Sequence, residues 1–113
     1  MADRSLSFDA EIDTGSTLCV FERRIGKILG IDIEIGKPMN ITTATGTFRA
    51  FGHDVTLIAE GFEFDSEVYF NEDDSFRRNI LGRHGWLDRV IVGINDYEGK
   101  LYLSQNGLFE IKS

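Results

Sequence analysis

Residues 6–21 read Leu6-Ser7-Phe8-Asp9-Ala10-Glu11-Ile12-Asp13-Thr14-Gly15-Ser16-Thr17-Leu18-Cys19-Val20-Phe21, a carboxylate-bearing loop set between two apolar segments. Leu6, Phe8, Ala10 and Ile12 alternate with Ser7, Asp9 and Glu11, the period of a half-buried strand that delivers the chain to Asp13. Asp13-Thr14-Gly15-Ser16 then reads as a tight loop. Thr14 can hydrogen-bond locally, and Gly15 lets the backbone turn closely enough for its amide to reach a carboxylate. Such a loop holds Asp13 rigidly and suits pre-organised chemistry. A tetrapeptide of common residue types arises by chance in roughly one chain in several hundred of this size, so the reading needs a second segment.

That segment is Asn79-Ile80-Leu81-Gly82-Arg83, where two apolar residues and a glycine follow a strand and lead into a short helix. Between the two, Phe21, Ile25, Ile28 and Leu29 fall at helical spacing, with Gly30 placed to end the turn. Ile31, Ile33 and Ile35 alternate with Asp32 and Glu34, predicting a strand or extended loop before the break at Gly36-Lys37-Pro38. β-Branched and aromatic residues dominate 39–44 and 47–59, a hairpin with its tip at Thr45-Gly46. Residues 62–70 give the clearest strand, and 71–75 its exit loop. A helical turn is expected over 84–89 and a last hairpin from 90–94 and 101–103. There is no internal repeat, low-complexity stretch or linker, so one mainly β domain over residues 1–113 is expected, with one or two short helices.

Composition narrows the function classes. With 113 residues, 42% hydrophobic and 27% charged, the chain can bury one modest core. The net charge of -7 repels a phosphate backbone, and the basic residues form only the pairs Arg23-Arg24 and Arg77-Arg78, so nucleic acid is not an expected partner. No apolar run approaches the about 20 residues that span a bilayer, and residues 1–4 lack the regions of a signal peptide, so a cytoplasmic location off the membrane is expected. Cys19 is the single cysteine, which excludes an intrachain disulfide and reads as a small buried side chain. His53 and His84 have no ligand spacing, and 72–74 and 96–98 lack the oxygen spacing of a calcium loop, so neither metal nor cofactor is expected. Gly26 and Gly30 make no dinucleotide fingerprint.

Taken together, the Asp13-Thr14-Gly15-Ser16 loop, the intervening glycine-containing hairpin and Ile80-Leu81-Gly82 resemble the retropepsin-like aspartic proteases, over about residues 8 to 103. The resemblance implies an all-β, retropepsin-like acid protease half-barrel. In that family an apolar-apolar-Gly segment forms the floor beneath the Asp-Thr-Gly loop, here Ile80, Leu81 and Gly82. The hairpin forms a flap over substrate, here with Ala44, Thr45, Gly46 and Thr47 at its tip. One Asp-Thr-Gly per chain implies a homodimer whose two Asp13 carboxylates share a proton and activate a water against a peptide bond, with Thr14 bracing the loops across the interface. The implied activity is that of an aspartic endopeptidase on peptide or protein substrates, with apolar pockets. The alternative is a retropepsin-fold dimerisation or peptide-binding module with little or no proteolysis.

Four expectations are specific to this chain. Ser16 stands where retroviral members usually carry alanine, and a hydroxyl donating to Asp13 predicts a more acidic working range. The family's arginine after apolar-apolar-Gly pairs with an aspartate at the position of Thr17, so Arg83 is expected to turn to Asp88 or another acid. Only twelve residues precede Asp13, a shorter lead-in than the family's, which predicts either a truncation or a missing N-terminal hairpin with a differently built dimer interface, and with it an exposed edge strand. Gly46 and Gly52 are the flap's only glycines, which predicts restricted opening.

Overall fold

The computed structural model describes residues 4–43, 46–59, 61–95 and 97–105. Its strands are β1 (Glu11–Ile12), β2 (Val20–Phe21), β3 (Lys37–Thr43), β4 (Gly46–Ala59), β5 (Phe62–Asn71), β6 (Ile80–Leu81), β7 (Val90–Asn95) and β8 (Lys100–Gln105), with one α-helix, α1 (Arg23–Ile28). Short 3-10 turns occupy Ile33–Ile35 and Leu87–Arg89. The main sheet runs β1-β6-β2-β5-β4-β3, and β7 pairs with β8 apart from it. The protein is all-β, a retropepsin-like half-barrel with few helical residues. Among the described residues no helix is long and apolar enough to cross a membrane.

Both faces of the sheet are covered, because neighbouring strand residues point to opposite sides and both sets are apolar. Phe21, Phe51, Val68 and Phe70 join Ile25, Ile33 and Trp86 in the larger core. Val20, Ala50 and Tyr69, each next to one of them in sequence, form a second cluster with Met39 and Phe48. Tyr69 is therefore buried rather than placed on a solvated face, as simple alternation over 62–70 implies. Ser66 is buried as well, and its hydroxyl donates to Gly85 O at 2.6 Å.

Three stretches differ from the sequence expectation. The strand expected over residues 6–12 forms only at Glu11–Ile12. Leu6 and Phe8 pack against the larger core, Phe8 edge-on to Phe21 at 5.1 Å, but no described strand lies alongside to hydrogen-bond their backbone. The 31–35 stretch makes a 3-10 turn: Gly36 N and His53 Nε2 both take Ile33 O, at 3.1 and 2.9 Å, which is the carbonyl a neighbouring strand would have used. Helix α1 is shorter than expected, and Ile28 is 48% exposed instead of facing the core.

The hairpin of β3 and β4 is as expected, with Thr43 opposite Gly46. Gly46 sits at φ 144, a backbone conformation that a side chain disfavours, so glycine suits the point where the chain re-enters the ladder. Pro38 is tolerated within β3 because β3 is the outermost strand on its side of the sheet.

Candidate active site

The Asp13 loop is stitched to the 79–84 segment almost entirely through backbone. β1 and β6 run parallel, with Glu11 opposite Ile80 and Ile12 opposite Leu81. Glu11 N donates to Asn79 O at 2.8 Å and Asp13 N to Leu81 O at 3.0 Å. Beyond the loop, Arg83 N donates to Ser16 O at 2.9 Å and His84 N to Thr17 O at 2.8 Å. The loop closes on itself when Ser16 N donates to Asp13 O at 3.1 Å.

Gly15 N donates to Asp13 Oδ1 at 2.9 Å, so the glycine amide reaches the carboxylate as the sequence predicts. The other oxygen, Oδ2, lies 4.0 Å from Arg78 Nη2, and the Asp13 side chain keeps 38% of its exposure. One carboxylate oxygen is thus fixed by backbone, and the side chain stays partly exposed. Thr14 and Gly15 are exposed.

Gly82 makes the close contact between floor and loop. A Cβ there would lie 2.6 Å from Leu18 C and 2.9 Å from Ser16 O, both backbone atoms. Beneath it, the Cys19 thiol receives Gly82 N at 3.4 Å and faces Gly82 O at 3.9 Å. Cys19 is fully buried, and burial pushes its thiol up to about 11, so it serves as a small packed side chain and not as a nucleophile.

The floor segment is tied to the start of α1 by Glu22. Asn79 Nδ2 donates to Glu22 Oε2 at 2.8 Å, while Glu22 N donates back to Asn79 Oδ1 at 3.0 Å. Arg24 Nη2 donates to Glu22 Oε2 at 3.1 Å. These hydrogen bonds, Arg24's first and then Asn79's, hold the Glu22 carboxyl below the ordinary range. A group with a lowered folded-state pKa contributes its stability above the unfolded glutamate value of about 4.3 and loses it as pH falls through the folded-state value. We expect Glu22→Gln to be less stable than wild type near neutral pH, with the gap closing in acid. Urea midpoints between about pH 3 and about pH 7 check this, and a gap that is independent of pH contradicts it.

Some sequence expectations are met differently. The Ser16 hydroxyl donates to Leu18 O at 2.8 Å, not to Asp13, so the argument for a more acidic working range loses its donor. Asp88, considered as a partner for Arg83, accepts Gly85 N at 3.0 Å and lies 3.6 Å from His84 Nδ1. The flap-tip residues Ala44 and Thr45 lie outside the described residues. Gly46 and Thr47 stand opposite Thr43 and Thr42, and the Thr47 and Thr42 hydroxyls are 3.2 Å apart. The hairpin is tied to the segment that leads into the floor. Phe48, next in β4, packs on Phe76 with ring centroids 5.2 Å apart, four residues before Ile80.

The sequence reading missed the charged pair beside Asp13. Arg78 Nη2 donates to Glu11 Oε2 at 2.8 Å, and the same nitrogen is the one 4.0 Å from Asp13. An exposed ion pair therefore stands beside Asp13. Glu11, two residues before Asp13 in an extended segment, was findable from same-face spacing; Arg78 was not. Among the described residues no group of three or more His, Cys, Asp or Glu side chains is arranged to hold a metal ion.

Fold and loop together define a retropepsin-like half-barrel with its Asp-Thr-Gly turn seated on an apolar-apolar-Gly floor. Among solved structures it is similar to EIAV protease complexed with the inhibitor HBY-793, with a TM-score of 0.53 and 22% sequence identity over 66% of this chain and 68% of that chain. The likeness shows the fold. No protein-family model matches the sequence, and no curated protein matches it.

Proposed function

We propose that the protein is an aspartic endopeptidase, active as a homodimer in which Asp13 from each copy forms the catalytic dyad. The observation that carries this reading is the seating of Asp13. Its backbone is bonded to Leu81, Oδ1 is held by the Gly15 amide, and the side chain stays partly exposed, within a retropepsin-like fold.

One carboxylate cannot do the chemistry alone. A dyad needs one ionised carboxylate to take a proton from water and one protonated carboxyl to donate to the scissile carbonyl oxygen. Two carboxylates facing each other across a two-fold axis share one proton for this reason. Water oxygen attacks the carbonyl carbon, and the base takes its proton. The acid protonates the carbonyl oxygen. Collapse of the resulting gem-diol breaks the C–N bond as a proton passes to the amine. In this reading Thr14, exposed in the single chain, braces the facing loops, and the β3–β4 hairpin closes over an extended peptide.

The test follows from the stoichiometry. Specific activity on a peptide library is expected to rise with protein concentration and to level off where sedimentation shows the dimer complete. Activity per chain that is constant down to concentrations where only monomer sediments would contradict the shared dyad.

A further inference from the structure

The parallel register of β1 and β6 gathers three charged side chains at the mouth of this site. Successive residues of an extended strand point to opposite faces, so Glu11 and Asp13 project to the same side. Arg78, just before β6, reaches over both, with Nη2 2.8 Å from Glu11 Oε2 and 4.0 Å from Asp13 Oδ2. Only that nitrogen is engaged; among the described residues Nε and Nη1 make no hydrogen bond, and the side chain is 54% exposed. Glu11 thus holds Nη2, the nitrogen nearest Asp13 Oδ2, and leaves the Nε and Nη1 donors free for a ligand.

A water activated at Asp13 attacks a carbonyl held about 3 Å away, so the residues flanking that bond pass within reach of Arg78. Whatever covers the guanidinium also strips water from it. An apolar side chain there strips water from the Nε and Nη1 donors that Glu11 does not satisfy, and a basic one adds repulsion. A carboxylate offers two acceptors to the free donors of the planar fork, the pairing that arginine makes best. Glu11 is a poorer docking point for a basic side chain, because Arg78 already holds it. We propose that Arg78 is a specificity-determining residue that selects peptides carrying aspartate or glutamate next to the scissile bond. This rests on the protease reading above, and in a homodimer it places one Arg78 on each side of the bond.

The test reads binding rather than turnover. Statin-type peptides with Glu, Gln or Lys flanking the statin hydroxyl are titrated against the wild type, Arg78→Gln, Arg78→Lys and Arg78→Glu, each checked for fold by circular dichroism. The wild type is expected to bind the Glu peptide about tenfold more tightly than the Gln peptide, with Lys weakest. Arg78→Gln removes the preference, Arg78→Lys keeps part of it, and Arg78→Glu reverses the order. Equal affinities in the wild type, a preference that survives in Arg78→Gln, or no binding of any of the three overturns the inference. Binding in the expected order by a protein that cleaves nothing sinks the protease reading and leaves the recognition. Cleavage with apolar flanking residues does the opposite.

Discussion

Asp13→Asn is expected to reduce peptide cleavage by about three orders of magnitude or more, while leaving the fold in place. Asparagine keeps the shape of the side chain, and its carbonyl oxygen can still receive Gly15 N, which now binds Asp13 Oδ1 at 2.9 Å. What it loses is the ability to take or give a proton, and in a homodimer both positions lose it at once. The loop has no need of the charge: Asp13 N bonds Leu81 O, Ser16 N bonds Asp13 O, and Arg83 N bonds Ser16 O, all backbone. The 4.0 Å approach of Arg78 to a partly exposed carboxylate is a weak, screened attraction whose loss changes stability little. Cleavage rates and urea midpoints of the two proteins are the measurement. Undiminished cleavage in Asp13→Asn places the chemistry elsewhere. A wild-type protein that binds peptides, cleaves none, and binds equally well as Asp13→Asn is a peptide-binding module.

The parts of this site that were legible in the sequence are those fixed by contiguous residues. Asp13-Thr14-Gly15 predicts an amide reaching a carboxylate because both groups sit in one turn, and the hairpin is written in its own β-branched runs around Gly46. Ile80-Leu81-Gly82 is readable as a floor only through the resemblance, and the 2.6 Å approach that demands the glycine depends on Leu18, far away in sequence. Contacts set by register between distant segments were not legible. Arg78 meets Glu11 only because β1 and β6 pair in parallel, and neither segment announces its partner. Ser16 illustrates a different limit. Its hydroxyl has two acceptors within local reach, the Asp13 carboxylate and the Leu18 carbonyl, and the turn geometry chooses the second. Leu6 and Phe8 show a third: alternation records which side chains are buried, not whether a neighbouring strand is there to complete a ladder.

Gly82→Ala is expected to damage both stability and activity, more than any other single methyl added to the site. The new Cβ would meet Leu18 C at 2.6 Å and Ser16 O at 2.9 Å. Neither atom can swing aside, because the Ser16 and Thr17 carbonyls are held by Arg83 N and His84 N on the same segment that would have to move. The floor must therefore lift off the loop, stretching the Asp13–Leu81 backbone bond and opening the Cys19 thiol beneath Gly82. Overpacking of this kind costs about 3 kcal/mol, a large share of the about 5–15 kcal/mol that holds a domain together. Gly26→Ala is the contrast. Its Cβ would come within 3.1 Å of Ile33 Cδ1 and the Phe70 ring, side-chain atoms that can shift by a few tenths of an ångström, so a smaller loss with cleavage retained is expected. Urea denaturation and cleavage assays of the two variants separate the cases. If Gly82→Ala proves as stable and active as wild type, the loop and floor are not locked through that backbone contact, and the rigidity attributed to Asp13 has to come from its hydrogen bonds to Gly15 and Leu81 alone.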